Sequence, residues 1–306
     1  MKGLIVKSTG SWYNVRTDYG KTIRCRVKGK LRLDGLKHTN PIAVGDHVEF
    51  EMEEGREDGV INKIEPRNNY IIRKSSNLSK QTHIIASNLD QAIIVASLVQ
   101  PKTSLGFIDR FLLTTEAYHI PAIIIFNKSD LCGGGLDNIL NDTISIYENI
   151  GYKCIICSVK KNINIDSIKE LLKDKISLII GHSGVGKTSL LNSIEPKYQL
   201  KTGIISDYSG KGKHTTTFAE MFELTSGGFI IDTPGIKELG IVDFKPEEIS
   251  HYYKEMQPYI GKCKFNNCKH ENEPGCSIIN AVKEGLIREE RYESYISILN
   301  NTDIYN

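Results

Sequence analysis

Residues 177–190, SLIIGHSGVGKTSL, narrow the possible folds more than any other stretch of the chain. An apolar run leads into Gly-x-x-x-x-Gly-Lys-Thr, and a run with helical character follows it. Gly181, Gly184 and Gly186 let successive N–H groups turn inward around phosphate oxygens, at the positive end of the helix that follows. His182, Ser183, Val185 and Ser189 complete the loop. Lys187 is expected to reach the β- and γ-phosphates, and the Thr188 hydroxyl to ligate Mg²⁺. A glycine-rich turn with an exposed lysine would need neither the strand before nor the helix after. Both are present, so the segment is read as a nucleotide phosphate loop. By itself the loop does not separate ATP from GTP.

The surrounding segments fit that reading. QAIIVASL, PAIIIFN, KCIICSV, SLIIGHS and GFIIDTP are short, continuously apolar runs, with helical candidates at 107–118, 136–150, 165–174 and 187–194 between them. Apolar strands alternating with helices predict a mostly parallel sheet covered on both faces. Asp232 ends the apolar run of FIIDTPG, where a carboxylate facing Mg²⁺ belongs, and the Gly235 N–H can approach a γ-phosphate. Between the phosphate loop and Asp232 lies a glycine- and lysine-rich segment that enters the threonine cluster 215–217. Thr216 is the expected residue to close on Mg²⁺ and the γ-phosphate, as ordered switch segments do.

FNKSD, residues 126–130, ends the run PAIIIF and has the chemistry of a guanine reader. The Asp130 carboxylate can accept from both N1–H and the exocyclic amine of guanine, a pair of donors adenine does not offer together. Asn127 can bond the far edge of the base, and the Lys128 stem can cover its face. Polar groups left unpaired by the wrong base make such a site selective. CSVK, residues 157–160, follows the next strand and can bring Ser158 and the Val159 amide to the same place. The base reader thus precedes the phosphate loop, the reverse of the usual order. Rotation of the chain is physically reasonable because domain termini often lie close together at the surface.

Both flanks differ from this core. Residues 1–66 hold five β-rich runs broken by the turn signals DYG, VGD and EDG, which suit a small barrel, OB-type or another such as SH3-like. The formal net charge of +2 over 306 residues hides a basic start: residues 1–40 carry ten Lys and Arg against Asp18 and Asp34. That asymmetry suits a polyanion partner or a solvated charged face. Residues 66–83 are polar and basic with little periodicity and read as a linker. Near residue 263 comes CKFNNCKHENEPGC, in which Cys263, Cys268, His270 and Cys276 can complete a closed, tetrahedral and therefore structural Zn²⁺ site. Seven cysteines without a small disulfide framework fit a reducing cytosol. MKGLIVKSTG has too short an apolar run for a signal peptide, and no run approaches the length that spans a bilayer, so a cytoplasmic protein with no membrane partner is expected.

The order NKSD, SVK, GHSGVGKT, HTTT, DTPG, with a basic barrel in front and a cysteine cluster behind, resembles the RsgA family, the bacterial small-subunit-dependent, circularly permuted GTPases. VGDHVEF, the PR at the barrel exit, NLDQAIIV, KGKHTTT and the tail GCSIINAVKEGLIREERYESY carry the likeness through nearly the whole chain. His182 stands where Gln is frequent, Thr188 where Ser is, and SVK replaces a commoner SAK; none removes a needed donor. The resemblance implies an OB-fold barrel at 1–66, a permuted GTPase domain at 67–241 and a zinc-binding helical module at 242–306. It implies guanine contacts at Asn127, Lys128 and Asp130 and phosphate contacts at 181–188. It also implies late maturation of the 30S subunit, with 16S rRNA as partner, GTP hydrolysed to GDP, and a monomeric protein. Ile236 occupies the position where many GTPases place a water-orienting glutamine. His214 is the local polar candidate and the one the resemblance implies; a histidine that only contacts rRNA is the alternative. Because the γ-phosphate sensors abut the cysteine cluster, nucleotide state is expected to reorient residues 242–306 relative to the barrel. A GTPase acting on another RNA such as tRNA, an RNA-binding module with a vestigial site, and a zinc hydrolase are the competing readings. A filled Cys₃His set disfavours the last.

Overall fold

The structure, a computed structural model, describes residues 1–27, 42–74, 82–200, 219–232, 244–300 and 302, with the side chains of 73, 74, 82, 83 and 232 left aside. The threonine cluster 215–217, His214 and Gly235 lie outside the described residues.

The amino-terminal strands β1 (Lys2–Ser8), β2 (Tyr13–Thr17), β3 (Thr22–Val27), β4 (His47–Met52) and β5 (Gly59–Ile64) pair in the order β1-β2-β3-β5-β4, and β4 returns to β1 to close the barrel. Strict alternation makes this possible: in β3, Ile23, Cys25 and Val27 turn inward while Thr22, Arg24 and Arg26 stay exposed. Ile5, Val15, Val48, Phe50 and Ile61 fill the interior with no exposed surface. Of the six described cations in the basic start, Lys2, Lys7, Arg16 and Arg26 are ion-paired with Glu65, Glu220, Glu223 and Glu53, so the barrel presents less positive charge than the sequence suggests.

Residues 66–83, expected as a linker, instead contribute most of a β-hairpin. β6 (Tyr70–Lys74) pairs antiparallel with β7 (Thr82–Ser87). Ile71 and Ala86 are fully buried in the same core as Ile94 and Phe111, which is what orders a segment that looks polar on average. The carboxylate of Asp46, also without exposed surface, pins the hairpin to the barrel. It accepts from Arg67 Nε at 2.6 Å and Nη2 at 2.7 Å, from Ser87 Oγ at 2.6 Å and from the Ala43 N–H at 2.8 Å. A buried carboxylate is tolerated only when paired and hydrogen-bonded in this way. This contact explains why VGD and PR occur together.

The central sheet continues as β10 (Lys153–Ile156), β9 (Ala122–Phe126), β8 (Gln91–Ala96), β11 (Ile176–Ile180), β13 (Phe229–Asp232) and β12 (Glu220–Glu223). All neighbours are parallel except β12, which runs antiparallel to β13. Helices α1 (Leu105–Ala117) and α2 (Leu136–Glu148) cover one face over Ile94, Ile124 and Leu178. Helices α3 (Ile165–Leu172) and α4 (Lys187–Ile194) cover the other over Ile93, Val95, Ile123 and Ile179. Alternate residues of each strand face opposite cores, which is why the strands read as unbroken apolar runs.

Two further joints hold the parts together. The edge strand β12 pairs with barrel strand β1 at Lys7 and Glu220, so barrel and GTPase-like sheet form one eleven-stranded sheet. The carboxyl-terminal residues include α5 (Ser277–Lys283) and α6 (Glu289–Leu299) and share a core with Leu113 of α1. Within that joint Arg291 bonds the carboxylates of Asp109 and, through Nε at 2.6 Å, Glu255, while the Tyr147 hydroxyl donates to Asp109 at 2.9 Å. Its two carboxylate partners hold Arg291 charged although burial opposes it. Among the described residues no helix is long and apolar enough to cross a membrane.

Candidate functional site

The phosphate loop leaves the end of β11 and enters α4. Lys187 crosses the loop and donates to the carbonyls of Gly181 at 2.5 Å and His182 at 2.8 Å. Two glycines are required by geometry. A Cβ at Gly181 would lie 2.4 Å from the Val95 carbonyl, and one at Gly186, whose φ is +98°, would lie 2.4 Å from the Asn127 amide nitrogen. Ser183 and Gly184 are exposed, Thr188 and Ser189 are half-buried in the first turn of α4, and Val185 is buried beneath the loop. His182 stacks on Phe107 of α1, with ring centroids 3.8 Å apart. Asp232 is the last residue of β13, in register with Ile179 of β11, two residues before the loop begins. Topology therefore brings it to the carboxyl edge of the sheet beside the loop.

Residues 127 and 128 meet the phosphate loop directly, across more than fifty residues of sequence. Asn127, only 4 % exposed, donates from Nδ2 to the Val185 carbonyl at 2.9 Å. The Lys128 ammonium donates to the Gly184 carbonyl at 2.7 Å and also to the carbonyl of Gln100. The second loop braces the first. The Val159 N–H donates to Asn127 Oδ1 at 3.4 Å, and the Ser158 hydroxyl donates to Asp130 Oδ1 while accepting the Lys161 N–H at 3.1 Å. The Ser129 N–H donates to the Cys157 carbonyl at 3.1 Å, which ties the two loops through the main chain. Asn127, Lys128, Asp130, Ser158, Val159 and residues 181–189 thus form one continuous lip. An amide, a carboxylate and an ammonium converge there beside the glycine-rich loop that opens α4, chemistry suited to a purine nucleotide with a phosphate tail.

Three contributors escaped the sequence reading. Gln100 enters through its main-chain carbonyl, which no side-chain motif reveals. Phe107 looks like ordinary helical core. Cys157 lies within CSVK, but a thiol carries no recognised signal at that position.

The four residues Cys263, Cys268, His270 and Cys276 present ligand atoms that all lie within 4.8 Å of one another. The Cys263 and Cys276 sulfurs are 3.8 Å apart, and His270 Nδ1 lies 3.5 Å from the first and 3.3 Å from the second. A tetrahedron with metal–sulfur bonds of about 2.3 Å has sulfur–sulfur edges of roughly 3.8 Å, so the donor set fits a metal ion of that size. Burial lowers the His270 pKa and favours the neutral imidazole that ligation needs. The Tyr292 and Tyr295 hydroxyls donate to the carbonyls of His270 and Lys269, both at 2.7 Å, and fix the loop on α6. Burial works against the charge of Glu273, but the N–H groups of Lys269, Glu271 and Asn272 outweigh it and hold the carboxyl down to about 2.

Comparison with known proteins agrees with this arrangement. Residues 64–242 match the RsgA GTPase family, and residues 2–61 match the RsgA N-terminal domain. A Phocaeicola vulgatus protein named small ribosomal subunit biogenesis GTPase RsgA is 50 % identical over 304 residues, 99 % of this chain and 97 % of that protein. The Flavobacterium johnsoniae protein of the same name is 50 % identical over 316 residues, covering 100 % and 96 %. Among solved structures, YjeQ from Thermotoga maritima superposes with a TM-score of 0.79 at 34 % identity, covering 98 % of this chain and 97 % of that one. YloQ, described as a circularly permuted GTPase, superposes with a TM-score of 0.75 at 30 % identity, covering 98 % and 94 %. With residues 126–130 ahead of the phosphate loop and both meeting at one lip, the chain belongs to the RsgA family of circularly permuted P-loop GTPases.

Proposed function

We propose that the protein binds GTP at this lip and hydrolyses it to GDP and phosphate in the service of small ribosomal subunit assembly, with turnover stimulated by the 30S subunit. The observation that carries the reading is the direct contact of Asn127 and Lys128 with the carbonyls of Val185 and Gly184, which makes base and phosphate recognition a single site. The names of the full-length relatives favour the small subunit over tRNA as the assembly served.

In this reading Asp130 accepts from guanine N1–H and the exocyclic amine, held at the right angle by Ser158, while Asn127 bonds the N7 edge. The Lys128 stem covers the base, with Val159 bracing Asn127. The N–H groups of residues 181–188 cradle the phosphates, Lys187 swings from its carbonyl partners to the β- and γ-oxygens, and Ser189 extends the helix start. A magnesium ion held through Thr188 and Asp232 would neutralise charge on the transferring phosphoryl group. Thr216 and Gly235 sense the γ-phosphate, and His214 orients the attacking water once the small subunit orders its segment. The Cys₃His set holds one structural zinc, and the barrel and the lysine-rich metal loop contact 16S rRNA.

The test is phosphate release measured with isolated 30S subunits, with 50S subunits and with neither. Stimulation confined to 30S supports the assignment, and equal rates in all three would overturn it. His214→Ala is expected to bind GTP normally while losing most of the 30S stimulation; unchanged stimulation would remove His214 from the mechanism.

A further inference from the structure

The amide of Asn127 has three protein partners, and one of them is a thiol. Its Nδ2 donates to the Val185 carbonyl, and its Oδ1 accepts from the Val159 N–H at 3.4 Å and from Cys157 Sγ at 3.5 Å. Cys157 has no exposed surface. Its own main chain is fixed at both ends, N–H to the Phe126 carbonyl at 2.8 Å and carbonyl to the Ser129 N–H, so the thiol is rigidly registered against the reader loop. Burial pushes this thiol up to about 12, and at neutral pH it keeps its proton. A protonated thiol can donate to an amide oxygen, and the neighbouring Val159 N–H, a pure donor, requires that the shared end be the oxygen. Thiol and N–H together therefore dictate which way round the amide sits. One Nδ2 hydrogen is committed to Val185, and the other has no protein partner among the described residues.

We propose that Cys157 is a positioning residue of the guanine site, holding the Asn127 amide so that its second Nδ2 hydrogen meets N7 of the base. This rests on the reading that Asn127 is the base reader. The thiol acts through Asn127 and does not touch the nucleotide. Because a thiol is a weak and long-range donor, its contribution is a modest one, consistent with a single neutral hydrogen bond.

The experiment compares affinities for GDP and for 7-deaza-GDP, in which N7 is replaced by a carbon that cannot accept a hydrogen bond. Wild type, Cys157→Ala, Cys157→Val, Cys157→Ser and Asn127→Ala are measured, each checked for folding by thermal melting. Ala removes the donor, Val removes it while filling the space, and Ser restores a donor. The expected result is that Ala and Val weaken GDP by about three- to tenfold, the range of one net hydrogen bond. Both should leave 7-deaza-GDP within about twofold of wild type, and Ser should recover most of the GDP affinity. If either donor-less variant that folds binds GDP as wild type does, or loses 7-deaza-GDP equally, Cys157 serves packing alone and the proposal fails. If wild type does not prefer GDP to 7-deaza-GDP, or Asn127→Ala binds both as wild type does, the assignment of Asn127 itself falls, and this inference with it.

Discussion

Asp130 is held by the Ser158 hydroxyl and Asn127 by the Val185 carbonyl, so each group proposed to read the base is oriented before any base arrives. Preorganised polar groups of this kind discriminate strongly, because a base that cannot satisfy them leaves buried partners unpaired. Replacing Asp130 by Asn exchanges one acceptor oxygen for an N–H donor. GTP affinity is expected to fall by at least about 100-fold, and affinity for XTP, which carries a carbonyl where guanine carries its amine, is expected to rise. Competition between the two nucleotides measures both changes; parallel loss of both would mean that Asp130 supports the loop and does not read the base. Lys187→Ala removes the only side-chain cation within the loop and is expected to abolish hydrolysis, read by phosphate release, while leaving melting temperature nearly unchanged.

At the scale of elements, helix α1 links two sites. Its first turn carries Phe107 against His182 of the phosphate loop, and its next turn carries Asp109 into the buried cluster with Arg291 and Glu255. Removing one member of such a cluster leaves a charge buried without a partner. Arg291→Met is expected to cost about 3–5 kcal/mol in urea unfolding, and the triple change Asp109→Leu, Glu255→Leu, Arg291→Met to recover most of it. A cost under 1 kcal/mol for the single change would show the cluster to be hydrated and loose. The Cys₃His loop is expected to be stabilised differently, by ligation of a metal ion that its donor set can hold. Strong chelators are expected to increase amide exchange across residues 263–276 and α5, whose first turn is capped by Cys276, while leaving the barrel protected. Exchange that did not change would count against a structural metal.

Across the whole molecule the joints differ in kind. The carboxyl-terminal helices are locked to α1 by a shared core and a buried ion cluster. The barrel meets β12 through one register pair and two largely exposed ion pairs, Lys7 with both oxygens of Glu220 at 3.0 Å and Arg16 with both oxygens of Glu223 at 2.8 and 2.9 Å. Such surface pairs contribute under about 1 kcal/mol each. The barrel side also has a buried component: Asp46 is held by Arg67 and Ser87, and Val44 bridges to Ala86 in the core shared with Ile71. Glu220→Gln with Glu223→Gln is expected to leave thermal stability within about 1 kcal/mol. It should also free two cations, strengthening RNA binding and steepening its logarithmic salt dependence by up to about two. An unchanged slope would mean that Lys7 and Arg16 do not face RNA.

Residue type and spacing were sufficient where a feature depends on local chemistry. The glycines of residues 181–186, the apolar runs that became β8 to β11 and β13, the alternation in β3 and the Cys₃His spacing all announce themselves, because each is a periodicity or a ligand set within a few residues. The hairpin β6–β7 did not, since its order comes from burying Ile71 and Ala86 against strands and helices elsewhere in the chain. Nor did the long-range partners of Asp46, Asp109 and Asn127, which lie 21 to 182 residues away. Fold class, phosphate-loop GTPase chemistry and the rotated order of the loops were legible in residue type and order. Which groups brace Asn127 and Asp130, and how the parts are joined, emerged only on folding. Ligand chemistry is local in the chain, whereas rigidity is a sum of contacts between segments that sequence order does not bring together.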